Sequence, residues 1–291
     1  MIWMRLLRPF NCIVRRFPTI EKLVPATSPY RLAIHGAAGR MGQRLIALAH
    51  DDPECMVAGA VENGDHPRLG EDAGAIAGVG DLGVPLSSEV PPDVDAVIDF
   101  SLPEATDELI GSCVKLRVPL VLATTGLTDV QQQRVQEAAR ETPIVWAPNM
   151  SLAVNLVMKL TQIAGEALKD HPAGADVEIV EWHHRHKEDA PSGTALKFGQ
   201  IVRDVMGQTS DSHGRHGRPG VRPQGEIGYH ALRAGDHPGQ HTIIFGMPGE
   251  SIQLHVSATN RDCYAHGALT AAKYLVGKPP GLYGIGDVLG L

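Results

Sequence analysis

The stretch Arg31-Leu32-Ala33-Ile34-His35-Gly36-Ala37-Ala38-Gly39-Arg40-Met41-Gly42 decides the fold of this chain. It joins a short apolar strand to a glycine-rich turn, from which we predict a helix over Met41–His50. Glu62 stands at the end of the next predicted strand. Amides at a helix N-terminus bind pyrophosphate and such a carboxylate binds ribose hydroxyls, so the arrangement predicts a dinucleotide-binding domain. The alternative is an ordinary glycine turn, which the position of Glu62 disfavours.

The sequence around this turn has the pattern of a parallel sheet. Short apolar runs alternate with helical patterns as far as Pro148, which is typical of strands wound by helices. The predicted strands are Arg31–His35, Cys55–Val61, Val94–Phe100, Pro119–Thr124 and Ile144–Ala147. Two capping boxes, Ser101–Glu104 and Thr128–Gln131, predict helix starts. The fold class that we expect is α/β, with a Rossmann-type, doubly wound parallel sheet.

The pattern changes after a long helix predicted over Met150–Lys169. A strand over Val177–Trp182 and a helix over Thr194–Met206 come next, followed by a Gly/Pro/His/Arg-rich loop at Ser212–Gly225. Three further strands are predicted over Ile227–Arg233, His241–Met247 and Ser251–Thr259. Such consecutive strands favour a separate α+β domain. The last predicted helix, Tyr264–Val276, is expected to pack back on the first domain.

Composition excludes two classes of partner. With 43% hydrophobic and 20% charged residues the chain is typical of a globular protein, and no apolar run approaches the roughly 20 residues of a membrane span. The net charge of −7 argues against a nucleic-acid partner. The cysteines never form a CxxC pair, so we expect reduced thiols, no thiolate metal site and a cytoplasmic protein.

Residues 1–29 differ from the rest of the chain. Arg5, Arg8, Arg15 and Arg16 precede the first acid, Glu21, as in a transit peptide. The segment lacks serine enrichment, however, and its apolar stretches are too broken for a secretory signal. We therefore expect a disordered N-terminal extension or an over-long start, outside the fold.

A second motif is Val180-Glu181-Trp182-His183-His184-Arg185-His186-Lys187-Glu188-Asp189-Ala190-Pro191-Ser192-Gly193-Thr194-Ala195, at a junction of strand and helix. A metal site would need at least two of its imidazoles on one face, whereas neighbours on an extended strand point to opposite faces. A solvated, inert basic face is another alternative. We favour an anion-binding and proton-donating centre, because His and Lys supply protons and the amides of residues 192–194 at a helix start bind a carboxylate.

Polar turns follow two of the predicted strands. Thr124-Thr125-Gly126 and Ala147-Pro148-Asn149-Met150-Ser151 lie at carboxyl ends of the parallel sheet, where ligands bind in open α/β folds. They either line a nicotinamide ring or are simply turns and a helix cap. The turn Arg233–His241, between two later strands, either closes over the substrate, shapes an interface or is structural; we interpret it as structural and leave it out of the site.

These motifs, in this order and together with Asp99-Phe100-Ser101, resemble the 4-hydroxy-tetrahydrodipicolinate reductase (dihydrodipicolinate reductase) family of lysine and diaminopimelate biosynthesis. The resemblance runs from about Arg31 to near the C-terminus. It implies a homotetramer that uses NADH or NADPH to reduce a small cyclic imine dicarboxylate. It assigns residues 30–150 and 262–291 to dinucleotide binding, and 151–261 to substrate binding and tetramerisation.

The resemblance also implies individual roles. His183 is the acid/base, Lys187 a proton donor, and Arg185 and His186 stabilise the dianion. The substrate is bound by His184, Gly193 and Thr194. The implied cofactor contacts are Gly36, Ala37, Ala38, Gly39, Arg40, Met41, Glu62, Ala123, Thr124, Thr125, Ala147, Pro148, Asn149 and Met150. No metal is expected.

One position departs from the family. Asn63 stands where some members carry a basic residue for the 2′-phosphate of NADPH, so we expect dual use with NADH at least equal. Arg40 in the glycine loop is the alternative contact for that phosphate. Two other classes remain to be tested against the reductase: a His-ligated metal hydrolase and a dinucleotide-binding regulator without turnover.

Overall fold

The computed structural model of the protein describes residues 28–291, so the predicted N-terminal extension lies almost wholly outside the described residues. Within the described range no helix is both long enough and apolar enough to cross a membrane. The chain builds two sheets with helices packed against them. This is the α/β plus α+β architecture predicted from the sequence.

Twelve strands are present in the described residues. They are β1 Tyr30–His35, β2 Cys55–Val61, β3 Leu86–Ser87, β4 Ala96–Asp99, β5 Leu120–Leu122, β6 Pro143–Trp146, β7 Asp176–His183, β8 Ser210–His213, β9 Glu226–Arg233, β10 Gly239–Met247, β11 Glu250–Ala258 and β12 Gly281–Tyr283. The helices are α1 Arg40–Asp51, α2 Ala73–Ala77, α3 Thr106–Leu116, α4 Asp129–Ala138, α5 Leu152–Leu168, α6 Gly193–Met206, α7 Asp262–Leu275 and α8 Ile285–Leu289, with a 3₁₀ turn at Pro103–Ala105.

The first sheet is parallel throughout, in the order β12-β6-β5-β4-β1-β2-β3. The chain leaves β1 in one direction and β4 in the other, so the order of strands switches between them. In open α/β sheets ligands bind at the carboxyl side of such a switch point. His35 ends β1 and Asp99 ends β4, which places the glycine loop at this point.

The C-terminal segment completes the first sheet. The helix α7 buries apolar side chains such as Ala268 and Leu275 in the same core as Ile34 and Val121, and β12 pairs with β6. The strand β12 and the short β3 were not predicted. Both have only two or three residues, too few to show an alternating pattern.

The second sheet has the order β11-β10-β7-β9-β8. The strands β9 and β10 follow each other in sequence but are not neighbours, because β7 lies between them. The helices α5 and α6 cover one face, where Phe198 and Phe245 are fully buried. The strand β8 was missed: it begins before the predicted loop at Ser212–Gly225, and its residues are mostly exposed and polar.

The two predicted capping boxes have different outcomes. Thr128 and Gln131 form a reciprocal capping box at the start of α4, as predicted. The box predicted at Ser101 is wrong, because the chain first makes a 3₁₀ turn and α3 begins only at Thr106. Pro103 at the start of that turn fixes φ but supplies no amide to a cap.

The contact between Gly42 and the glycine loop gives a first prediction. A Cβ on Gly42 would overlap the carbonyl oxygen of Gly36 and lie 2.6 Å from the Cα of Ala37. We expect Gly42→Ala to lower the free energy of unfolding by about 1–3 kcal/mol, measured by urea denaturation, because backbone must shift to relieve the overlap.

The matched control is Gly111→Ala on α3. A Cβ at position 111 meets no atom within 4 Å. Because alanine is the better helix former, this substitution should instead raise the free energy of unfolding by about 0.5–1 kcal/mol. Equal effects of the two substitutions would contradict the packing described for the loop.

Candidate active site

Two cavities lie along the carboxyl edge of the parallel sheet. We call the first the glycine-loop cavity; its volume is about 760 Å³ and its lining includes Gly36, Ala38, Gly39 and Glu62. The second, the histidine cavity, has a volume of about 840 Å³ and extends to the start of α6. Phe100 and Ser101 line both, so the two cavities adjoin.

The glycine-loop cavity fits a dinucleotide. Gly36 has φ +76°, and a Cβ there would lie 2.6 Å from the carbonyl oxygen of Phe100, so only glycine is accommodated. No side chain caps α1, which leaves its first amides open to an anion. The amide of Ala38 donates to Oε1 of Glu62 (2.9 Å), which holds that carboxylate beside the loop. Phosphates at α1 and ribose hydroxyls at Glu62 match these donors and acceptors.

The glycine-loop cavity is acidic. Glu62, Glu89, Glu104 and Glu108 line it, and no Lys or Arg is among its lining residues within the described chain. Arg40 lines the histidine cavity instead. A phosphate on the adenosine ribose would therefore lie among carboxylates, without a cation from this wall.

A buried hydrogen-bond network lies beneath the junction of the two cavities. Asp99 is fully buried, and its oxygens accept from the hydroxyl of Thr124 (2.6 Å), the amide of Ser101 (3.2 Å) and Nδ1 of His35 (2.6 Å). Nδ1 of His35 thus lies 2.6 Å from a carboxylate oxygen that also accepts from the Ser101 amide. The network ties the ends of three adjacent strands, β1, β4 and β5, under the site.

The histidine cavity brings together most of the residues that the family resemblance implied. Thirteen of them line it: Arg40, Met41, Ala123, Thr124, Thr125, Pro148, Asn149, Met150, His183, His184, Lys187, Gly193 and Thr194. Ala37 and Ala147 line neither cavity, because their side chains are buried at 0% and 5% exposure. Any contact of those two with a cofactor is limited to backbone.

The buried carboxylate of Glu181 organises the centre of the histidine cavity. The side chain is 1% exposed and accepts from Nδ1 of His183 (2.5 Å) and from both terminal nitrogens of Arg233 (2.8 and 2.7 Å). The amide of Ser192 donates to the same carboxylate (3.1 Å). One carboxylate thus fixes the imidazole, a guanidinium and the turn before α6.

The protonation of this group follows from its surroundings. Burial alone would raise the pKa of Glu181, but hydrogen bonds from Arg233 and His183 outweigh it and hold the pKa below its ordinary value. Burial lowers the pKa of His183, and the hydrogen bond to Glu181 offsets this only in part. The imidazole therefore carries its proton on Nδ1 at neutral pH, and a bound anion nearby would favour the doubly protonated form.

The start of α6 provides fewer free amides than expected. The sequence predicted that the amides of residues 192–194 bind a carboxylate, but the Ser192 amide already donates to Glu181 and the Ser192 hydroxyl caps the helix at Ala195. Gly193 and Thr194 keep their amides directed at the cavity end of the helix. Asn149 also reaches Thr194, with Nδ2 3.4 Å from its hydroxyl, and so joins the two halves of the site.

The basic residues of the motif separate into two groups. Lys187 lines the cavity and pairs with Asp189 (2.7 Å). Arg185 and His186, to which the resemblance gave the dianion, are exposed and do not line the cavity. The chain turns sharply after β7, so the side chains of these two residues point away from the cavity. Lys197 and Arg261, which the sequence did not single out, line it instead.

The turn at Arg233–His241 belongs to the site, contrary to its structural interpretation. Arg233 binds Glu181, and Pro238 lines the cavity. A Cβ at Gly239 would lie 2.9 Å from Nε2 of His183. Because side chains alternate along a strand, the sequence could have shown that Glu181 and His183 share one face. It could not have shown that Arg233 pairs with Glu181, since Arg233 lies on another strand.

His241 packs against the acid/base candidate. Its ring meets that of His183 edge-on, with centroids 5.3 Å apart, and is 5.8 Å from Phe198. The residue is 4% exposed, and burial lowers its pKa to about 4. His241 is therefore uncharged at neutral pH.

In residues 28–291 no group of three or more His, Cys, Asp or Glu side chains is arranged to hold a metal ion.

Comparison with known sequences identifies the family. Residues 30–150 match the model described as "Dihydrodipicolinate reductase, N-terminus", and residues 153–289 match "Dihydrodipicolinate reductase, C-terminus". The chain belongs to the dihydrodipicolinate reductase family. A 4-hydroxy-tetrahydrodipicolinate reductase from Rhodopirellula baltica is 54% identical over 277 residues, covering 92% of this chain and 99% of the relative. One from Halorhodospira halophila is 43% identical over 89% and 98% of the two chains.

A solved structure of this family shares the fold. The dipicolinate-bound dihydrodipicolinate reductase from a Paenisporosarcina species superposes with a TM-score of 0.71, at 24% identity, over 89% of this chain and 99% of the other. At that identity the likeness concerns the fold. The parallel sheet and the mixed second sheet are thus those of the dihydrodipicolinate reductase fold. The 54% identity to a 4-hydroxy-tetrahydrodipicolinate reductase and the two family matches show that the chain is an oxidoreductase of the pyridine-nucleotide-dependent kind.

The buried state of His241 predicts a pH-dependent stability. In the unfolded chain this histidine binds a proton near pH 6.5, whereas in the folded protein it does so only near pH 4. Between these values protonation favours the unfolded chain, so its contribution to stability is present above about pH 6.5 and is lost as the pH falls toward 4. The loss is roughly 3 kcal/mol.

The measurement is urea denaturation from pH 4 to 7 of the natural protein and His241→Gln. Carboxylates titrate in both, so only the difference between the two slopes reports His241. We expect a steeper fall of the unfolding free energy in the natural protein. Parallel curves for the two proteins would show that His241 is not held neutral.

Proposed function

We propose that this protein reduces the cyclic imine dicarboxylate 4-hydroxy-tetrahydrodipicolinate to tetrahydrodipicolinate with NADH or NADPH, in lysine and diaminopimelate biosynthesis. The observation that carries the proposal is the lining of the histidine cavity. One wall comes from the ends of the parallel strands, with Arg40 and Thr125, and the other from His183, Lys187 and the start of α6. A bound nicotinamide ring and an anionic substrate would therefore lie next to each other in this cavity.

In the proposed reaction the ring gains a hydride and a proton and loses its hydroxyl group as water. Reduced nicotinamide, when bound, supplies the hydride. The chain supplies the proton: Lys187 lines the cavity as an ammonium, and its pairing with Asp189 holds that charge at the wall. His183 presents a ring whose Nδ1 is held by Glu181, leaving Nε2 to accept or give a proton.

The start of α6 orients the substrate. A carboxylate at the amides of Gly193 and Thr194 also benefits from the positive end of the helix dipole. His184 lines the same cavity and is proposed as a further substrate contact. Binding a dianion raises the proton affinity of His183 and so favours the protonated form of the acid when substrate is present.

The proposed cofactor choice follows from the charges around the adenosine ribose. Glu62 accepts from ribose hydroxyls, and the acidic lining of the glycine-loop cavity opposes a 2′-phosphate. Arg40, the alternative contact for that phosphate, lines the other cavity. We therefore propose dual use, with NADH at least equal to NADPH.

A homotetramer in the cytoplasm is the proposed state of the enzyme. Its support is β11, a nine-residue strand at the edge of the second sheet whose residues are mostly exposed. A long exposed edge invites pairing with another chain, and a second copy would cover it. Light scattering at micromolar concentration that gives a monomer would reject this state.

The direct test of the function is NADH oxidation, followed at its near-ultraviolet absorption band, when the enzymatically generated cyclic intermediate is supplied. Turnover that depends on this intermediate supports the reductase. Zinc-dependent hydrolysis without nucleotide would instead favour the metal hydrolase. NADH binding with no turnover on the intermediate would favour the regulator.

Substitution of the acid/base group gives a further prediction. His183→Ala and Lys187→Ala should each lower kcat by roughly 10²–10⁴-fold, because each removes a proposed proton donor. Glu181→Gln keeps the size of the side chain but no longer fixes the imidazole through a charged acceptor, so we expect a loss of about 10–100-fold in kcat. The Kd for NADH, measured by nucleotide fluorescence, should stay within about twofold in all three. Full activity in any of them would remove the role assigned to that residue.

Cofactor preference is tested at Asn63. Asn63→Arg places a guanidinium beside the adenosine ribose and should shift kcat/KM toward NADPH by about 1–2 kcal/mol. The Asn63 side chain also accepts from the amide of Asp65 (2.9 Å), so Asn63→Gln controls for the loss of that turn bond without adding charge. A natural enzyme that prefers NADPH tenfold or more would overturn the proposed preference.

A further inference from the structure

Three His-Pro dipeptides of this chain make the same local turn. In His66-Pro67-Arg68, His171-Pro172-Ala173 and His237-Pro238-Gly239 the imidazole Nδ1 accepts from the backbone amide two residues further on, at 3.3, 3.3 and 3.1 Å. Proline has no amide to donate, so the first amide that the ring can reach along the chain is that of the third residue. The turn is therefore a property of the local sequence and recurs at three separate places.

This turn also fixes the proton of the ring. A nitrogen that accepts from an amide carries a lone pair, so the proton of the neutral imidazole is on Nε2. In His237 this Nε2 lies 3.3 Å from the hydroxyl of Ser257 and donates to it. In His66 the Nε2 atom has no hydrogen-bond partner within residues 28–291, and the residue lines the glycine-loop cavity. His66 thus offers an N–H donor to a ligand in that cavity.

Asn63 begins the same loop and is held in a similar way. Its side-chain Oδ1 accepts from the amide of Asp65 (2.9 Å), and its backbone carbonyl accepts from the amide of His66 (2.9 Å). The Nδ2 group with its two N–H donors is left free of the turn. Asn63 lines the glycine-loop cavity as well. The two side chains thus offer donors to the cavity, while their acceptor atoms are used within the loop.

These donors lie beside the expected place of the adenosine ribose. Glu62, the proposed acceptor for the ribose hydroxyls, directly precedes Asn63 and is fixed by the amide of Ala38 (2.9 Å). Arg68, the first cationic residue of the loop, pairs with Glu71 (2.8 Å) and does not line the cavity. A group on the 2′ position of the ribose therefore meets neutral donors from this loop and no cation.

We propose that Nε2 of His66, together with Nδ2 of Asn63, donates hydrogen bonds to the 2′-phosphate of NADPH. This inference rests on the proposed function, since it concerns the same nucleotide. Hydrogen bonds to an ionised phosphate are stronger than those to a hydroxyl, so they offset part of the repulsion from the carboxylates of the cavity. NADH has no 2′-phosphate and gains nothing from them. His66 is thus the residue that keeps NADPH usable in an acidic site.

The experiment compares adenosine 2′,5′-bisphosphate with adenosine 5′-monophosphate, which differ only in the 2′-phosphate, and NADPH with NADH. Dissociation constants are measured by calorimetry at neutral pH for the natural protein, His66→Asn and His66→Gln. Asparagine keeps an oxygen for the turn bond, as at Asn63, but has no atom at the position of Nε2. Glutamine carries an amide nitrogen to about that position but gives up the turn bond.

His171 provides the matched control. It makes the same turn shortly after α5 and lines neither cavity. His171→Asn therefore repeats the change of side chain in a His-Pro turn outside the nucleotide site. Circular dichroism and the thermal midpoint show that each variant is folded.

His66→Asn should weaken binding of adenosine 2′,5′-bisphosphate and NADPH by about 5–30-fold, and leave the two ligands without the 2′-phosphate within about twofold. His66→Gln should recover part of that loss, because a donor returns. His171→Asn should change none of the four constants. In His66→Asn, an equal loss for ligands with and without the 2′-phosphate, or no loss, would overturn the assignment of His66.

Failure of this inference and failure of the proposed function give different results. A natural protein that oxidises NADH with the cyclic intermediate, while His66→Asn shows no selective loss, refutes only the role of His66. A natural protein that binds none of the four nucleotides and does not reduce the intermediate refutes the function itself, and the role of His66 with it.

Discussion

The buried carboxylate of Glu181 is the interaction on which the rest of the site depends. It lies on β7, accepts from His183 on the same strand face, from Arg233 on β9 and from the amide of Ser192 before α6. Desolvation of a lone carboxylate would be costly, and these donors offset it. Glu181 is only 1% exposed, so removing Arg233 would leave this carboxylate buried without its charged partner. The sheet, the turn and the acid/base group are thus held in one geometry.

The two cavities of the site carry opposite charges. The glycine-loop cavity carries carboxylates, which suit ribose hydroxyls, whereas the histidine cavity carries cations, which suit a dicarboxylate. They adjoin where β1 and β4 end, above the network around Asp99. The switch in strand order therefore sets where the proposed nucleotide site lies relative to the proposed substrate site.

Much of this arrangement could be predicted from the sequence, because it is encoded locally. The glycine loop, the strand ends and the His183–Thr194 motif each lie within a few consecutive residues, and thirteen of the implied residues share one cavity. Contacts between distant segments could not be predicted. Arg233 is 52 positions from Glu181, and Arg261 reaches the cavity from the start of α7. The resemblance implied that Arg185 and His186 stabilise the dianion, whereas the turn after β7 leaves both side chains exposed.

The strand order of the second sheet could not be predicted from the sequence either. Strands adjacent in sequence are usually neighbours, but β7 lies between β9 and β10. Only this insertion brings Arg233 and His241 to either side of Glu181. The strand order that the sequence did not predict is therefore the one that builds the proposed acid/base centre.

The most direct test of this account is the tautomer of His183, read from ¹⁵N chemical shifts of histidine-labelled protein at neutral pH. The His183→Gln variant identifies the resonance. If Glu181 holds the ring, Nδ1 carries the proton and Nε2 is unprotonated, and in Glu181→Gln the two forms exchange. A proton on Nε2 in the natural protein, or the same shifts in both proteins, would contradict the central role given to the Glu181 carboxylate.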